Sequence, residues 1–273
     1  MEVSKVADKF GEKWVHKMAK FIESESFDNI IRYLKNESGA GKIIYPASGD
    51  LFKVFKTTDP DNLRVLIIAF CPYHTPIDQK DKKVGVADGI AFSCSRSTMP
   101  QPSLSMFWDG YIEDTKDEFD VKFKYPLDLT YMGSQGIMMY NCELSVEMLK
   151  PGSHGKIWEP FTRYFIEEVI NPYYSGLTIV LMGKEAQKYE KYIDPLKHYV
   201  KKVEHPAAAA YRGDNLWRHD KMFSWCSKIH MDNNKYRIWW EPLGEEPDWV
   251  QDKPKKVVQN EDEVIGELPW QKK

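Results

Sequence analysis

An α/β three-layer sandwich, with a central and mainly parallel four-stranded sheet, is the fold this sequence predicts. Two observations carry the prediction. Four short apolar runs, Arg64-Val-Leu-Ile-Ile-Ala69, Gly136-Ile-Met-Met-Tyr-Asn141, Leu177-Thr-Ile-Val-Leu-Met182 and His198-Tyr-Val-Lys-Lys-Val203, have the length of buried strands. Segments with helical spacing separate the later runs, and strands alternating with helices imply right-handed crossovers and parallel pairing.

In chain order, Phe10, Trp14, Met18, Phe21, Ile22, Ile30 and Tyr33 recur at helical spacing with a break near Ser24 to Ser26, which predicts two N-terminal helices. A Gly-rich turn at Gly39 and Gly41 leads toward the first strand. An amphipathic segment from Ile157 to Ile170 joins the second and third strands, and a short helix from Lys184 to Tyr192 joins the third and fourth. From about Met231 the chain changes character, with Trp239, Trp240, Trp249 and Trp270 spread among Glu, Asp, Lys and Pro. The expected organisation is one domain over 1–230 and a C-terminal extension over 231–273, docked in its first part and mobile at its end.

Composition narrows the function classes. The 273 residues are 42% hydrophobic, enough to bury a sizeable core. No apolar run reaches membrane-spanning length, and the N-terminus, with Lys5, Asp8, Lys9 and Glu12 interspersed, lacks a signal-peptide core, so an intracellular protein without a membrane partner is expected. Cys71, Cys94, Cys142 and Cys226 show no metal-ligand spacing, and free thiols without a metal or cofactor are expected. Net charge is −3; 241–273 hold nine acidic and five basic residues, leaving +1 for the first 240. A nucleic-acid surface would therefore be a local patch. The absence of GxGxxG after the first strand, and of a P-loop, argues against a nucleotide-binding α/β enzyme.

Ligands of such sheets bind beyond the carboxyl ends of the strands. The residues there are Cys71-Pro-Tyr-His74, Asn141-Cys142 and His205-Pro206, which would converge on one crevice. At these places, and in order from about Trp14 to Lys228, the chain resembles the family-1 uracil-DNA glycosylases. Ala69-Phe-Cys-Pro-Tyr-His74 stands where that family has its water-activating loop, Gly-Gln-Asp-Pro-Tyr-His. Gly89-Ile-Ala-Phe-Ser93 resembles the strand bearing the Phe that stacks on the flipped base, Pro102-Ser-Leu104 the loop that compresses the DNA backbone, and Asn141 falls on the base-reading Asn. Pro151-Gly-Ser-His154 with Trp158-Glu159, and Met182-Gly-Lys-Glu-Ala-Gln-Lys188, match two lesser landmarks. His205-Pro-Ala-Ala-Ala-Ala-Tyr-Arg-Gly213 occupies the place of the intercalation loop.

The resemblance implies roles. Phe92 would stack on an extruded pyrimidine, Asn141 would read its O4 and N3, His205 would donate to O2, and Tyr73 would crowd C5. Pro102, Ser103, Ala209, Tyr211 and Arg212 would face DNA, together with His154 and, as phosphate contacts, His219, Lys184 and Lys188.

The chain also departs from the family. Cys71 replaces the water-orienting Asp, and a thiol does that work only if ionised; its alternative is a small buried apolar residue. Asp88 is the nearest carboxylate substitute, whereas Asp78 and Asp81 read as solvated surface. Phe70 replaces the motif Gln. The loop from His74 to Gly89 is longer and more charged than usual, which would admit a modified base. The alanines 207 to 210 supply no Leu wedge, so Tyr211 or Trp217 would have to plug the duplex. Two readings follow: a monomeric DNA glycosylase for uracil or a C5-modified pyrimidine, such as occurs in phage or viral DNA, or a catalytically degenerate scaffold that binds DNA or recruits a partner through its tail.

Overall fold

In the computed structural model, residues 6–79, 82–116, 125–212, 217 and 220–242 are described, Lys82, Ala209 and Ala210 for their backbone alone. The sequence-based expectations for Asp81, Gly213, His219, Trp249 and Trp270 lie outside these residues.

The four apolar runs form one sheet. Its strands are β1 (Val65–Ala69), β2 (Ile137–Asn141), β3 (Thr178–Met182) and β4 (Tyr199–Val203), all parallel and in the order β2-β1-β3-β4. The chain leaves β1 toward β2 on one side and returns to β3 on the other, so the connections diverge between β1 and β3. In open sheets of this kind the place where ligands bind is beyond the carboxyl ends of the strands at such a divergence.

Register shows what covers each face. Thr178 pairs with Val65 and Val65 with Ile137, so their side chains share a face, while Tyr140, three residues beyond Ile137, points the other way. The Tyr140 hydroxyl meets Thr162 Oγ1 at 2.7 Å in α4 (Gly155–Tyr164), next to α1 (Glu12–Ile22) and α2 (Glu25–Gly39). Trp14, Phe21, Phe55, Phe161 and Phe165 fill this layer edge to face. On the opposite face Thr178 Oγ1 lies 3.2 Å from His230 Nε2 in α7 (Met222–Asn234), which packs on α3 (Pro102–Thr115) through Phe107, Tyr111 and Phe223. The three-layer sandwich is therefore present, with an aromatic layer on each side of an aliphatic sheet.

Local sequence explains the helix boundaries. Ser24 caps α2 by accepting the Phe27 N–H, which produces the break expected near Ser24. The helix expected from Ile157 to Ile170 runs regularly to Tyr164 and continues as a wider π turn over Phe165–Ile170. The segment read as a longer loop after His74 is a β-hairpin, Pro76–Gln79 against Lys82–Gly85. Past α7, Ile238 and Trp240 are buried, Gln135 Nε2 donates to the carbonyls of Trp239 and Glu241 at 2.8 Å, and Tyr131 donates to that of Trp240. The extension thus packs on the second aromatic layer as far as 242. Among the described residues no helix is long and apolar enough to cross a membrane, and the four cysteines are free.

Candidate active site

Phe92 is the hub of this region. Its backbone φ is +63°, a conformation that costs a bulky residue about 1–2 kcal/mol. The surrounding loop holds it there. The buried carboxylate of Asp88 accepts from the backbone N–H groups of Ile90 and Ser95 and from the hydroxyls of Ser93 and Ser95, the latter two at 2.6 Å, with Lys53 Nζ 3.8 Å away. Tyr73 donates its hydroxyl proton to the Phe92 carbonyl at 3.2 Å and meets Ser103 Oγ at 2.9 Å. The Phe92 ring stacks on Phe107 at 5.6 Å and lies 5.3 Å from the His205 ring, so one face is backed by the core and the other side opens toward His205.

His205 follows β4 and precedes α6 (Pro206–Arg212). It sits over the turn after β3, where Gly183 has φ +79° and a Cβ would come within 2.8 Å of the His205 Cβ. Glycine is required there for both reasons. The Ala207 N–H donates to His205 Nδ1 at 3.1 Å, which places the proton of the neutral ring on Nε2. Burial lowers the His205 pKa to about 4, so the ring is a neutral donor at physiological pH.

Asn141 ends β2, and the Met139 carbonyl two residues earlier accepts the Ala91 N–H at 3.0 Å, tying this strand end to the Phe92 loop. Asn141 is only 7% exposed, and among the described residues its amide has no hydrogen-bond partner. An amide in that state keeps both its donor and its acceptor available.

Phe70 and Cys71 follow β1, both half-buried. The Phe70 ring packs against Gly152, where a Cβ would approach within 2.7 Å. Burial, with a smaller contribution from the nearby Glu143 carboxylate, pushes the Cys71 thiol up to about 12 against a compensating Gly152 N–H. At neutral pH the residue is therefore held as the thiol, the unreactive form.

Four other sequence-based expectations are corrected. Asp88 does not stand ready to orient water: it is 1% exposed and its lone pairs are used by the loop. Ser103 is buried against Tyr73 rather than turned to DNA. His154 is 1% exposed, with Nδ1 on Ser145 Oγ at 2.8 Å beneath Trp158 and its ring against Tyr33, so it contributes to the core instead of a DNA surface. Trp217 is buried, stacks on Phe107 and donates to the Met106 carbonyl at 2.6 Å, which removes it as a plug. In each case the side chain is held by a partner that sequence spacing does not reveal.

Of the remaining DNA-facing candidates, Pro102 is exposed in the first turn of α3, Tyr211 is 89% exposed, Ala209 lies within α6, and Arg212 is paired with Glu204 at the surface. Lys184 lies in the short helix α5 (Gly183–Gln187) beside His205, and Lys188 follows it. Sequence reading missed Phe107 as the floor behind Phe92, and it missed Glu143, a buried acid two residues beyond Asn141 in the mixed segment Asn141-Cys-Glu-Leu-Ser-Val146.

The fold is an open-sheet α/β protein, and beyond the carboxyl ends of its strands an aromatic ring, an unpartnered amide and a neutral histidine come together. No protein-family model matches the chain. Among curated proteins it is 30% identical over 234 residues to the uracil-DNA glycosylase of Pseudomonas aeruginosa, covering 85% of this chain and 94% of that one. It is 32% identical over 204 residues to that of Acinetobacter baylyi, covering 74% and 81%. Among solved structures, mimivirus uracil-DNA glycosylase superposes with a TM-score of 0.76 at 21% identity, covering 88% of this chain and 89% of that one. The chain belongs to the uracil-DNA glycosylase family.

Proposed function

We propose that the chain excises uracil from DNA by hydrolysing the bond between the base and its sugar. The observation that carries this reading is the unpartnered amide of Asn141 at the strand end tied to the Phe92 loop, with the Nε2–H of His205 beside the Phe92 ring. An amide in one fixed orientation accepts from N3–H and donates to O4 of uracil. Cytosine presents the opposite pattern, so it would leave two buried groups unsatisfied.

Extruding a base costs a few kcal/mol, which stacking on Phe92 offsets in part. As the C1′–N1 bond breaks, its electron pair moves onto the base and charge collects at O2, where a neutral histidine donor stabilises it. Tyr73, pinned by two hydroxyl contacts, would stand against C5 and exclude thymine. Pro102, Ala209, Tyr211 and Arg212 would face the DNA, with Tyr211 as the plug in place of a Leu wedge. The expected state is a monomer without cofactor, and any partner-recruiting role of the tail beyond 242 lies outside the described residues.

The test is base release from oligonucleotides carrying uracil, hydroxymethyluracil, thymine or modified cytosines, with Asn141→Ala as control. Uracil release abolished by the substitution is expected. Release of a C5-modified base instead would redefine the substrate. Tight DNA binding with every base retained would replace this reading by the degenerate scaffold, which the neutral Cys71 thiol favours.

A further inference from the structure

A site that separates a base from its sugar leaves a cation at C1′, and the Cys71 thiol after β1 carries no charge to stabilise it. Glu143 is the unexplained acid at this end of the sheet. It lies two residues beyond Asn141, is 4% exposed, and donates its backbone N–H to the Phe70 carbonyl at 3.2 Å. Its Oε1 lies 2.9 Å from where a Cβ on Gly155 would be and 3.8 Å from one on Gly152, the residue against which Phe70 packs and whose N–H faces Cys71. Its Oε2 is buried with no hydrogen-bond partner. The His154 backbone N–H at the start of α4 serves the carboxylate, yet burying a carboxyl with one oxygen unsatisfied is costly.

We propose that Glu143 supplies the negative charge of the excision site, taking over electrostatically what Cys71 cannot provide. This inference rests on the uracil-excision reading. The role is charge stabilisation and not proton transfer, because Oε2 is out of reach of solvent. The C1′–N1 electron pair leaves with the uracil and is held at O2 by His205. The positive charge remaining on C1′ is stabilised by the Glu143 carboxylate, and the water that adds to C1′ gives its proton to solvent.

A consequence is pH dependence within the physiological range. Burial, with a smaller push from nearby Glu185, raises the Glu143 pKa to about 7 against the opposing His154 backbone N–H and Lys188. The other titratable groups packed around it, Cys71 and Cys142, are neutral thiols whose pKa values are themselves raised by burial and by Glu143. Activity should therefore rise with pH and level off above about 7.

The experiment is single-turnover uracil release from single-stranded DNA between pH 5.5 and 8.5 for the unmodified protein, Glu143→Gln, Cys71→Asp and the double variant, with melting temperature and DNA binding as controls for folding. The unmodified protein should lose about tenfold per pH unit below 7. Glu143→Gln should be slower by about 10- to 100-fold at pH 8 and flat with pH, with binding unchanged. Cys71→Asp in either background should restore a fast rate that persists at low pH. Equal rates and profiles for the unmodified protein and Glu143→Gln would overturn the proposal while leaving the excision reading intact. An unmodified protein that releases no uracil at any pH would overturn both.

Discussion

His205 illustrates how a single residue acquires its chemistry. An exposed histidine titrates near neutrality and holds either tautomer, whereas here burial keeps the ring neutral and the Ala207 N–H fixes its proton on Nε2. His205→Ala should slow uracil release by about 10²- to 10³-fold, as loss of a donor to developing negative charge does, with affinity for DNA changed little. Single-turnover kinetics alongside a binding titration would check this; a parallel loss of affinity would mean that His205 serves docking instead. Asn141 and Cys71 show two outcomes of burial at a strand end. The amide remains able to donate and accept, but the thiol becomes inert.

At the scale of the element, the loop from Asp88 to Ser95 determines where the stacking ring sits. It holds Phe92 at positive φ through four hydrogen bonds to one buried carboxylate and one from Tyr73. Removing that carboxylate leaves several buried donors unsatisfied. Asp88→Ala should cost about 3–5 kcal/mol in denaturant unfolding and lower uracil release in proportion to the loss of Phe92 positioning. A variant that loses activity but keeps full stability would return Asp88 to the chemistry. The docked stretch up to 242 is a second such element. Trp240 is buried edge-to-face against Phe223 at 4.8 Å, so Trp240→Ala should destabilise the fold by about 3 kcal/mol, read as a lower midpoint in urea.

Across the whole molecule, buried titratable groups set the response to pH. The pKa values of His205 and His230 both fall to about 4, so between about pH 4 and 6.5 the unfolded chain binds their protons and the native one does not. Stability from these histidines is present above 6.5 and lost as pH falls. Glu143 acts in the opposite sense, because its raised pKa makes the native state hold a proton from about pH 4.5 to 7, and its contribution is lost as pH rises through that window. Glu143→Gln should accordingly melt higher than the unmodified protein at pH 8, with the gap closing toward pH 4.5. Calorimetry at several pH values would measure it, and a gap independent of pH would contradict the burial assigned to Glu143.

The sequence by itself determined the sheet, since aliphatic runs such as Val65–Ala69 must be buried on both faces, and turn residues such as Gly183 mark where each strand ends. Asn141 and His205 could be placed after strands from the order of the apolar runs, whereas Phe92 and Tyr73 were singled out by the family resemblance alone, and the segment around Phe92, expected as a strand, is a loop. Only the tertiary structure decided what the polar residues between these landmarks do. Ser103, His154 and Trp217 look alike in sequence whether they face DNA or the interior, and the partner that draws each one inward, Tyr73, Ser145 or Met106, is 9 to 111 residues away. Glu143 escaped notice for the same reason: a charge acquires meaning only when the packing around it shows that one of its oxygens has been left without a partner.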